Sequence, residues 1–402
     1  MTGPGSDREL VLRTAQVLWP GEVGRLVHGV RPGRPGQQWH VLPSPDRARL
    51  LVPRRPRWAA AMLDRRAGGL RSQARQRSLG LAVGGPWGAL APTWRLQVAP
   101  RPDTRVETLL GSIAGTEVGV GVRFGTPRAN RKPLLQALDD QGTTRSWTKV
   151  ALRPADRRRL DQEQSGLGTL AGALHRLEVP AVLGRAERAG AVLLVLSPLV
   201  SGGQPWQQWP IPWAAMTEVA TVAGTARVTV GDLEGWARWR RLREEAADSA
   251  ALQRLALATD AAAASLGAEQ VETGHWHGDW TPWNMGYHHG RLQVWDWENF
   301  AGGRPLGFDP LHFATQGLFA RRADVAAVCQ ALDEMRPGLA EMSVGGRAVD
   351  TTWALYLLEV AHRYLFAAGE SPGAGVTRRL AWVLDQLDAA ARRPTGVPGA
   401  LR

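Results

Sequence analysis

Short runs of alternating apolar and polar or small residues occur repeatedly in the first half of the chain and predict β-strands. Residues 118–124 read VGVGVRF, residues 134–138 form a second apolar run, and the DDQGTTR segment that follows is typical of a hairpin turn into SWTKVAL. Two earlier pieces, WHVLPSP and ARLLVP, have the same character. We therefore predict a β-rich N-terminal half.

A continuous apolar run closes this half of the chain. Residues 192–199 read VLLVLSPL, which predicts a buried strand that ends at a Ser-Pro step. The run is far shorter than the ~20 apolar residues that a membrane-spanning helix needs.

Helical periodicity follows, in which apolar residues recur every three or four positions. One such helix is predicted earlier, at residues 160–177, where leucines at helical spacing form a buried stripe. A helix-like stretch also surrounds residues 58–66. The later segments with this pattern are residues 233–266, 323–335, 351–368 and 376–391. Strands first and helices afterwards predict an α+β protein.

Three polar side chains stand out in residues 277–297, which read HGDWTPWNMGYHHGRLQVWDW. Asp279 and Asn284 lie in a loop that Gly and Pro keep out of regular structure. A hairpin turn at residues 288–290 then leads into a short strand that ends at Asp296. This geometry brings Asn284 and Asp296 together as oxygen ligands for magnesium, and leaves Asp279 nearby to orient a hydroxyl group and accept its proton. An acidic turn on a solvated surface is the alternative.

The pattern HGDxxPxN followed by DWE resembles the catalytic and metal-binding loops of the aminoglycoside phosphotransferase-like family, which are small-molecule kinases with the protein-kinase fold. The matching residues are His277, Gly278, Asp279, Pro282, Asn284, Asp296, Trp297 and Glu298. The resemblance implies that Asp279 is catalytic, that Asn284 and Asp296 bind magnesium, and that His277 supports the loop backbone.

The segment GFDPLHF carries Asp309, which resembles the family aspartate that bonds the catalytic-loop backbone. We interpret Asp309 as a structural support of the loop. A helix N-cap is the alternative role for this residue.

The resemblance also implies a nucleotide site upstream. Among 49 basic residues only two are lysines, Lys132 and Lys149. Lys149 lies in the strand-like run SWTKVAL, where the kinase template places a lysine that binds the α- and β-phosphates and pairs with a glutamate on the next helix. Glu163 is the implied partner, with Asp161 as the runner-up.

Two more parts of the nucleotide site are predicted, one from the resemblance and one from the residues themselves. Leu196 to Leu199 would offer backbone groups to an adenine edge, as the resemblance implies. The phosphate loop departs from the family pattern, because GTPRANRKP at residues 125–133 contains no GxGxxG. Backbone N–H groups with Arg128 or Arg131 are candidates for the phosphate contacts. A plain surface loop fits this segment equally well.

Positive charge is concentrated near the N-terminus. The 402-residue chain has a net charge of +12; residues 1–150 contain 24 basic and 10 acidic residues and carry +14, and the remaining 25 basic and 27 acidic residues carry −2. A nucleic-acid or anionic-surface patch is one interpretation. We favour an Arg-rich solvated domain, because no nucleic-acid-binding motif accompanies the charge.

Cysteine and histidine usage excludes two kinds of site. The single Cys329 rules out an internal disulfide framework and indicates a reducing compartment. The histidines around the motif lack the ligand spacing of a zinc site.

The N-terminus has no signal pattern and no apolar run reaches membrane-spanning length, so we expect a cytoplasmic protein without a membrane partner.

The predicted architecture is a protein-kinase-like bilobal α+β fold with an N-terminal extension. Residues 1–105 would form a basic cap-like domain, residues 106–198 a small β-rich nucleotide-binding lobe, and residues 199–395 a large α-rich catalytic and acceptor-binding lobe. The resemblance implies transfer of the γ-phosphoryl group of ATP, or alternatively GTP, with magnesium as cofactor. The acceptor would be a hydroxyl of a sugar, an aminoglycoside or an amino alcohol.

Two rival functions stay open at this stage. A nucleotide-binding pseudokinase or regulatory protein would explain the missing glycine loop, although the intact set of Asp279, Asn284 and Asp296 argues against it. A basic nucleic-acid-associated protein is the less favoured rival. The sequence identifies neither the acceptor nor the oligomeric state. Several of the eighteen tryptophans, among them Trp236 and Trp239, are placed beside the expected acceptor site, although most tryptophans should lie in the core.

Overall fold

The chain is described here from a computed structural model. The described residues are 7–28, 38–63, 93–100, 104–125, 131–199, 210–245, 250–370 and 374–391. Within them, every helix is too short or too polar to cross a membrane. Strands are concentrated in the N-terminal part and helices in the C-terminal part, which confirms the predicted α+β class.

Contacts divide the chain into two compact units. Unit 1 consists of Met1–Ala171, Glu178–Gln208 and Gly286–Glu298, and unit 2 consists of Gly172–Leu177, Trp209–Met285 and Asn299–Arg402. The motif of residues 277–297 therefore contributes to both units.

Nine antiparallel strands form the large sheet of unit 1, in the order β1-β4-β2-β3-β5-β6-β7-β10-β9. These strands are β1 (Gly21–His28), β2 (Gln38–Leu42), β3 (Leu50–Pro53), β4 (Trp94–Pro100), β5 (Gly119–Phe124), β6 (Pro133–Leu138), β7 (Thr144–Ala151), β9 (Val182–Arg188) and β10 (Ala191–Leu196). The helices in the described part of unit 1 are α1 (Asp7–Leu18), α2 (Pro56–Leu63), α3 (Val106–Ala114) and α4 (Pro154–Leu170).

Two glycines of β5 allow helix α2 to pack directly on the sheet. A Cβ at Gly119 would lie 2.0 Å from the ring of Trp58, and a Cβ at Gly121 would lie 1.9 Å from the sulfur of Met62. The alternating glycines of VGVGVRF therefore leave space for these two large side chains, both of which are buried.

The sheet runs without a break from the N-terminal extension into the predicted nucleotide lobe. Strand β3 pairs with β5 through Leu50 with Arg123 and Leu51 with Val122. The predicted boundary at residue 105 thus falls inside unit 1, and the division into three domains stays a prediction.

Helix α4 differs from its predicted bounds of residues 160–177. It begins six residues earlier, at Pro154, since proline at the first helical position costs no hydrogen bond. It ends at Leu170, two residues before Gly172, whose φ of 72° lies in the left-handed region. Leu177 was wrongly assigned to the helical stripe, because it begins the short strand β8 (Leu177–Glu178).

Helices dominate unit 2 and enclose its main hydrophobic core. They are α5 (Trp213–Thr221), α6 (Glu234–Glu245), α7 (Ala250–Leu266), α8 (Phe308–Ala320), α9 (Val325–Glu341), α10 (Ala348–Glu370) and α11 (Ala374–Ala391). A small antiparallel sheet, in the order β11-β12-β15, accompanies them. Its strands are β11 (Ala226–Thr229), β12 (Gln270–Trp276) and β15 (Ala301–Pro305). Trp236 and Trp239 are both buried in this core.

The predicted hairpin of the motif is present. Strands β13 (Met285–His288) and β14 (Arg291–Val294) flank a two-residue turn at His289 and Gly290, which have φ angles of 48° and 78°. Two successive positive φ angles are typical of the tight turns that join antiparallel strands. The hairpin therefore leads the chain from the loop of Asp279 to Asp296.

Candidate active site

Lys149 lies at the centre of a charged cluster in unit 1. Strand β7 holds it between β6, where its partner is Leu134, and β10, where its partner is Leu194. Its Nζ atom lies 2.7 Å from the carboxylate of Glu163 on α4 and 2.5 Å from Oδ1 of Asp296. The structure thus brings together three of the residues that the sequence proposes.

Glu163 is fully buried and joins the lysine to the DWE segment. Besides its ion pair with Lys149, its Oε1 atom accepts a hydrogen bond of 3.3 Å from the backbone N–H of Trp297. The runner-up, Asp161, is instead paired with Arg185 at 2.5 Å. Glu163, and not Asp161, is therefore the helix partner of Lys149.

The electrostatics of this cluster favour a charged lysine. Burial by itself would lower the pKa of Lys149, but the carboxylates of Asp296, Glu163 and Glu298 outweigh it and raise that pKa. Burial raises the pKa of Glu163, and the ammonium group of Lys149 opposes this shift. Each member of the pair therefore depends on the other to stay ionised in a buried position.

Both lysines of the chain contribute to this one cluster. Lys132 forms a short ion pair with Glu298, next to the pair that Lys149 makes with Asp296. Sequence reasoning assigned no role to Lys132, although its rarity in a chain that otherwise uses arginine was a signal. Three carboxylates against two ammonium groups leave a formal charge of −1.

The carboxylates of Glu163, Asp296 and Glu298 form a donor set that fits a divalent cation. One oxygen from each lies within 4.8 Å of the others, and carboxylate oxygens are the ligands that magnesium and calcium prefer. Asp296 also has a φ of 71°, a left-handed conformation that costs a non-glycine residue of the order of 1 kcal/mol or more. Such strain is often found at functional positions, where the fold imposes the conformation.

The loop of Asp279 in unit 2 is fixed by the buried Asp309. The two carboxylate oxygens of Asp309 accept hydrogen bonds from the backbone N–H groups of His277, at 2.7 Å, and Gly278, at 3.1 Å. Burial raises the pKa of Asp309, and His277 and these two backbone bonds oppose the shift. Asp309 therefore has the contacts expected of a loop support.

His277 and Gly278 shape the same loop. Nδ1 of His277 accepts a hydrogen bond of 3.1 Å from the backbone N–H of Asp279, which requires the proton on the other ring nitrogen. Gly278 has a φ of 81°, and a Cβ there would lie 2.7 Å from the carbonyl oxygen of Asn299. The glycine of HGD is therefore required by both its conformation and its surroundings.

Asn284 and His312 hold the side chain of Asp279 on its two sides. Nδ2 of Asn284 donates to Oδ2 of Asp279 at 3.0 Å and to its backbone carbonyl at the same distance. Nε2 of His312 lies 3.2 Å from Oδ1 of Asp279, and its Nδ1 lies 3.0 Å from the hydroxyl of Tyr356. Burial raises the pKa of Tyr356, so this hydroxyl stays protonated beside Nδ1 of His312.

Sequence reasoning missed His312. The signal that could have found it is its spacing, because His312 lies three residues after Asp309 on α8, and residues three apart share one face of a helix.

The remaining proposed residues have weaker structural support. Leu196 is the last residue of β10 and is buried, and Leu199 follows in a segment without regular secondary structure; their role toward adenine stays a prediction. Arg131 is bonded to Asp7 and to a backbone carbonyl, so its guanidinium is engaged within unit 1, and Arg128 lies outside the described residues. The sharing of a magnesium ion by Asn284 and Asp296 also stays a prediction.

No protein-family model matches the chain, and no curated protein matches its sequence. Solved structures do match it. Structures of phosphotransferases and kinases are among these matches. The aminoglycoside phosphotransferase APH(4)-Ia is 16% identical, with a TM-score of 0.49, and the match covers 72% of this chain and 99% of that chain.

Two other solved structures show similar values. A putative fructosamine-3-kinase from Haemophilus somnus 129PT is 14% identical, with a TM-score of 0.43 and coverage of 70% of this chain and 96% of that chain. The amicoumacin kinase hAmiN, solved with AMP-PNP and Ca²⁺, is 13% identical, with a TM-score of 0.45 and coverage of 67% and 88%. Aminoglycoside phosphotransferases are thus among the proteins whose solved structures are similar to this chain.

Proposed function

We propose that this protein is a phosphotransferase that transfers the γ-phosphoryl group of a magnesium-bound nucleoside triphosphate, ATP in the first instance, to a hydroxyl group of a small molecule. The observation that carries the proposal is the contact of Lys149 with both Glu163 and Asp296. A strand lysine paired with a helix glutamate, next to a metal-binding aspartate, is the arrangement that kinases use to position nucleotide phosphates.

In unit 1, Lys149 would bind the phosphates while Glu163 holds its ammonium group in place. The phosphate oxygens would replace Asp296 as a partner of Lys149, since both are anionic oxygens that attract the same ammonium group. Asp296 would then be available as a ligand for magnesium, and Glu298 adds a second carboxylate close by. When bound, magnesium would neutralise charge on the phosphates and fix their orientation.

In unit 2, Asp279 would orient the acceptor hydroxyl and accept its proton. Its side chain is 38% exposed, so a small molecule can reach it, while the bonds from Asn284 and His312 restrict its rotation. In a largely dissociative transfer, positioning of the hydroxyl contributes more than its early deprotonation. The geometry of Asp279 suits this role.

The test is transfer of radiolabelled γ-phosphate from ATP to a panel of neutral, cationic and anionic hydroxyl compounds. We expect labelled product with at least one acceptor, and a loss of about 10²-fold or more in turnover for Asp279→Asn, because general-base and positioning groups contribute effects of that size. Asp140→Asn, which alters an exposed carboxylate in unit 1, is the control and should retain full turnover. Full turnover by Asp279→Asn would contradict the mechanism.

A further inference from the structure

Two arginines of unit 2 share a single buried carboxylate. Glu359 on α10 is 1% exposed and pairs with Arg238 on α6 and, at 3.0 Å, with Arg363 one turn further along α10. Burial would raise the pKa of Glu359, but the charges of Arg363, Arg238 and Arg304 outweigh it and lower that pKa.

Arg304 on β15 is a third arginine near this group, and within the described part of the chain its guanidinium has fewer hydrogen bonds and ion pairs than those of Arg238 and Arg363. Its Nε atom is buried and has no hydrogen-bond partner among the described residues. Burial lowers the pKa of Arg304, and Arg238 and Arg363 lower it further, while Glu359 and the exposed Glu234 oppose the shift. Three guanidinium groups against these two carboxylates leave a formal charge of +1.

A second buried N–H donor without a partner belongs to Trp239, which lies beside Arg304. The indole Nε1 of Trp239, a residue that is 4% exposed, has no hydrogen-bond partner among the described residues. A Cβ built on Gly235 would lie 3.2 Å from Cζ2 and 3.5 Å from Cε2 of Trp239, and 3.3 Å from NH1 of Arg304. Cε2, the indole atom bonded to Nε1, and the guanidinium of Arg304 therefore both pack closely against Gly235.

These unpaired donors and the excess positive charge destabilise the folded protein unless a bound group compensates for them. A buried polar group without a hydrogen-bond partner costs roughly 1–3 kcal/mol, and excess like charge adds to that. An oxyanion would accept from the guanidinium groups and from the indole at once, and arginine suits carboxylate, sulfate and phosphate groups because its donors form a planar fork.

The cluster is connected to the catalytic loop. NH1 of Arg363 donates a short hydrogen bond to the carbonyl of Gly278, the residue before Asp279, and its guanidinium stacks 4.3 Å from the ring centre of Trp276. Arg363 and Arg238 bind the same carboxylate of Glu359. The ion pairs of Glu359 therefore link Arg238, through Arg363, to the chain segment that carries Asp279.

We propose that Arg238, Arg304 and the indole N–H of Trp239 form a subsite for an oxyanion group on the acceptor, so that the acceptor is an acidic hydroxyl compound. This inference rests on the proposed phosphotransfer, because it assigns the bound anion to the acceptor of that reaction. A net positive charge at this position disfavours polycationic acceptors such as aminoglycosides.

The binding half of the proposal is tested by ¹⁵N NMR of the tryptophan indole groups, with the signal of Trp239 assigned through Trp239→Phe. Titration with glucuronate should move this signal in a saturable way, and glucose and glucosamine should not. Arg304→Gln should weaken glucuronate binding by about tenfold or more, since one charge-assisted interaction is lost. Arg238→Gln provides a second variant if Arg304→Gln does not fold. Arg227→Gln, an exposed arginine of the same small sheet, is the matched control.

The acceptor half is tested by kcat/KM for transfer to glucuronate, glucose 1-phosphate, glucose and glucosamine. A preference for the acidic compounds that falls in Arg304→Gln and persists in Arg227→Gln supports the proposal. Equal or better transfer to glucose or glucosamine overturns it while leaving the proposed phosphotransfer intact. Arg304-dependent binding of glucuronate without transfer to any compound would instead count against the phosphotransfer, and no movement of the Trp239 signal overturns the subsite itself.

Discussion

The carboxylate of Asp279 is held on both of its oxygens, by His312 on Oδ1 and by Asn284 on Oδ2. Its backbone N–H is held as well, by His277. Asp309 fixes the preceding two backbone positions. At the scale of single residues, the proposed base is thus oriented by several other side chains, and each of them should affect turnover without contacting the nucleotide.

His312 offers the sharpest test of this idea. We expect His312→Gln to lower kcat by about tenfold or more, because a hydrogen bond to a charged group contributes roughly 1.5–3 kcal/mol. The KM for ATP should stay unchanged, since the contacts of His312 are with Asp279, Gln316 and Tyr356. Steady-state kinetics with varied ATP checks both values. His175→Gln, at an exposed position, is the control, and an unchanged kcat in His312→Gln would exclude a positioning role.

Sequence reasoning identified the residues of local motifs better than those defined by tertiary contacts. The pairing of Lys149 with Glu163 and the support by Asp309 were predictable, because each residue lies at a recognisable place in a strand, a helix or a motif. His312 and Lys132 were not assigned, since their roles depend on which side chains the fold brings beside Asp279 and Glu298. The oxyanion cluster of Arg238 and Arg304 was invisible for the same reason.

At the scale of elements, one ion pair joins strand β7 to helix α4. Lys149 is 15% exposed and Glu163 is fully buried. A carboxylate left alone in such a position is strongly unfavourable, because desolvation is no longer offset by its partner. The ion pair therefore holds strand β7 and helix α4 together. The effects of mutating Lys149 and Glu163 on the free energy of unfolding should not be additive.

We expect Lys149→Met to lower the free energy of unfolding by about 3–5 kcal/mol, as for other buried pairs that lose one member. The double variant Lys149→Met with Glu163→Gln should recover part of that loss. Burial raises the pKa of Glu163, so the loss in Lys149→Met should shrink as pH falls and Glu163 becomes protonated. Urea unfolding at several pH values measures these effects.

The control for this experiment is the exposed pair of Arg185 on strand β9 and Asp161 on the same helix α4. Arg185→Met should cost at most about 1 kcal/mol, since exposed ion pairs contribute little. If Lys149→Met is no more harmful than Arg185→Met, the buried pair does not join these elements as we describe.

Strand β2 should make the stability of unit 1 sensitive to acid. Burial, together with Arg95 and Arg54, lowers the pKa of His40 from 6.5 to about 4. A lowered pKa means that the stabilisation is fully present above pH 6.5, where the ring is neutral in both folded and unfolded chains, and is lost as pH falls toward 4. His40→Gln should remove roughly 2 kcal/mol of the stability lost between pH 7 and pH 4.5.

Urea unfolding of both proteins at these two pH values checks the prediction. His362, whose pKa is also lowered to about 4, is present in both proteins and cancels in the comparison. His28→Gln, at an exposed position of β1, should retain the full pH dependence. Equal pH dependence in wild type and His40→Gln would show that His40 is not the acid-sensitive group.

Element boundaries were harder to predict than the elements themselves. The strand of Lys149 and the hairpin of the motif are present near the predicted positions. The predicted end of helix α4 was too late, because its leucine pattern continues past the true end at Leu170. The left-handed conformation of Gly172 follows the end of the helix, and the spacing of the leucines does not reveal it. The leucines after residue 170 thus match the helical period by chance, because the helix has already ended.

At the scale of the whole molecule, part of the positive charge of residues 1–150 is engaged inside unit 1. Arg131 binds Asp7, Arg13 donates to the carbonyl of Leu152 at 2.6 Å, and Arg123 donates to the carbonyl of Met62 at 2.5 Å. The first two of these contacts join helix α1 of the N-terminal extension to residues that directly precede β6 and follow β7. They give the arginine excess a structural role that a nucleic-acid-binding patch would not require.

The measurement that tests the central claim most directly is calorimetric binding of ATP to the intact protein, with magnesium and with EDTA. We predict binding that magnesium strengthens, a loss of this magnesium dependence in Asp296→Asn, and near-normal binding in Asp279→Asn, because Asp279 acts on the acceptor. ATP binding that is absent, or that is equally strong with and without magnesium in wild type and Asp296→Asn, would contradict the assignment of Lys149, Glu163 and Asp296 to a magnesium-nucleotide site.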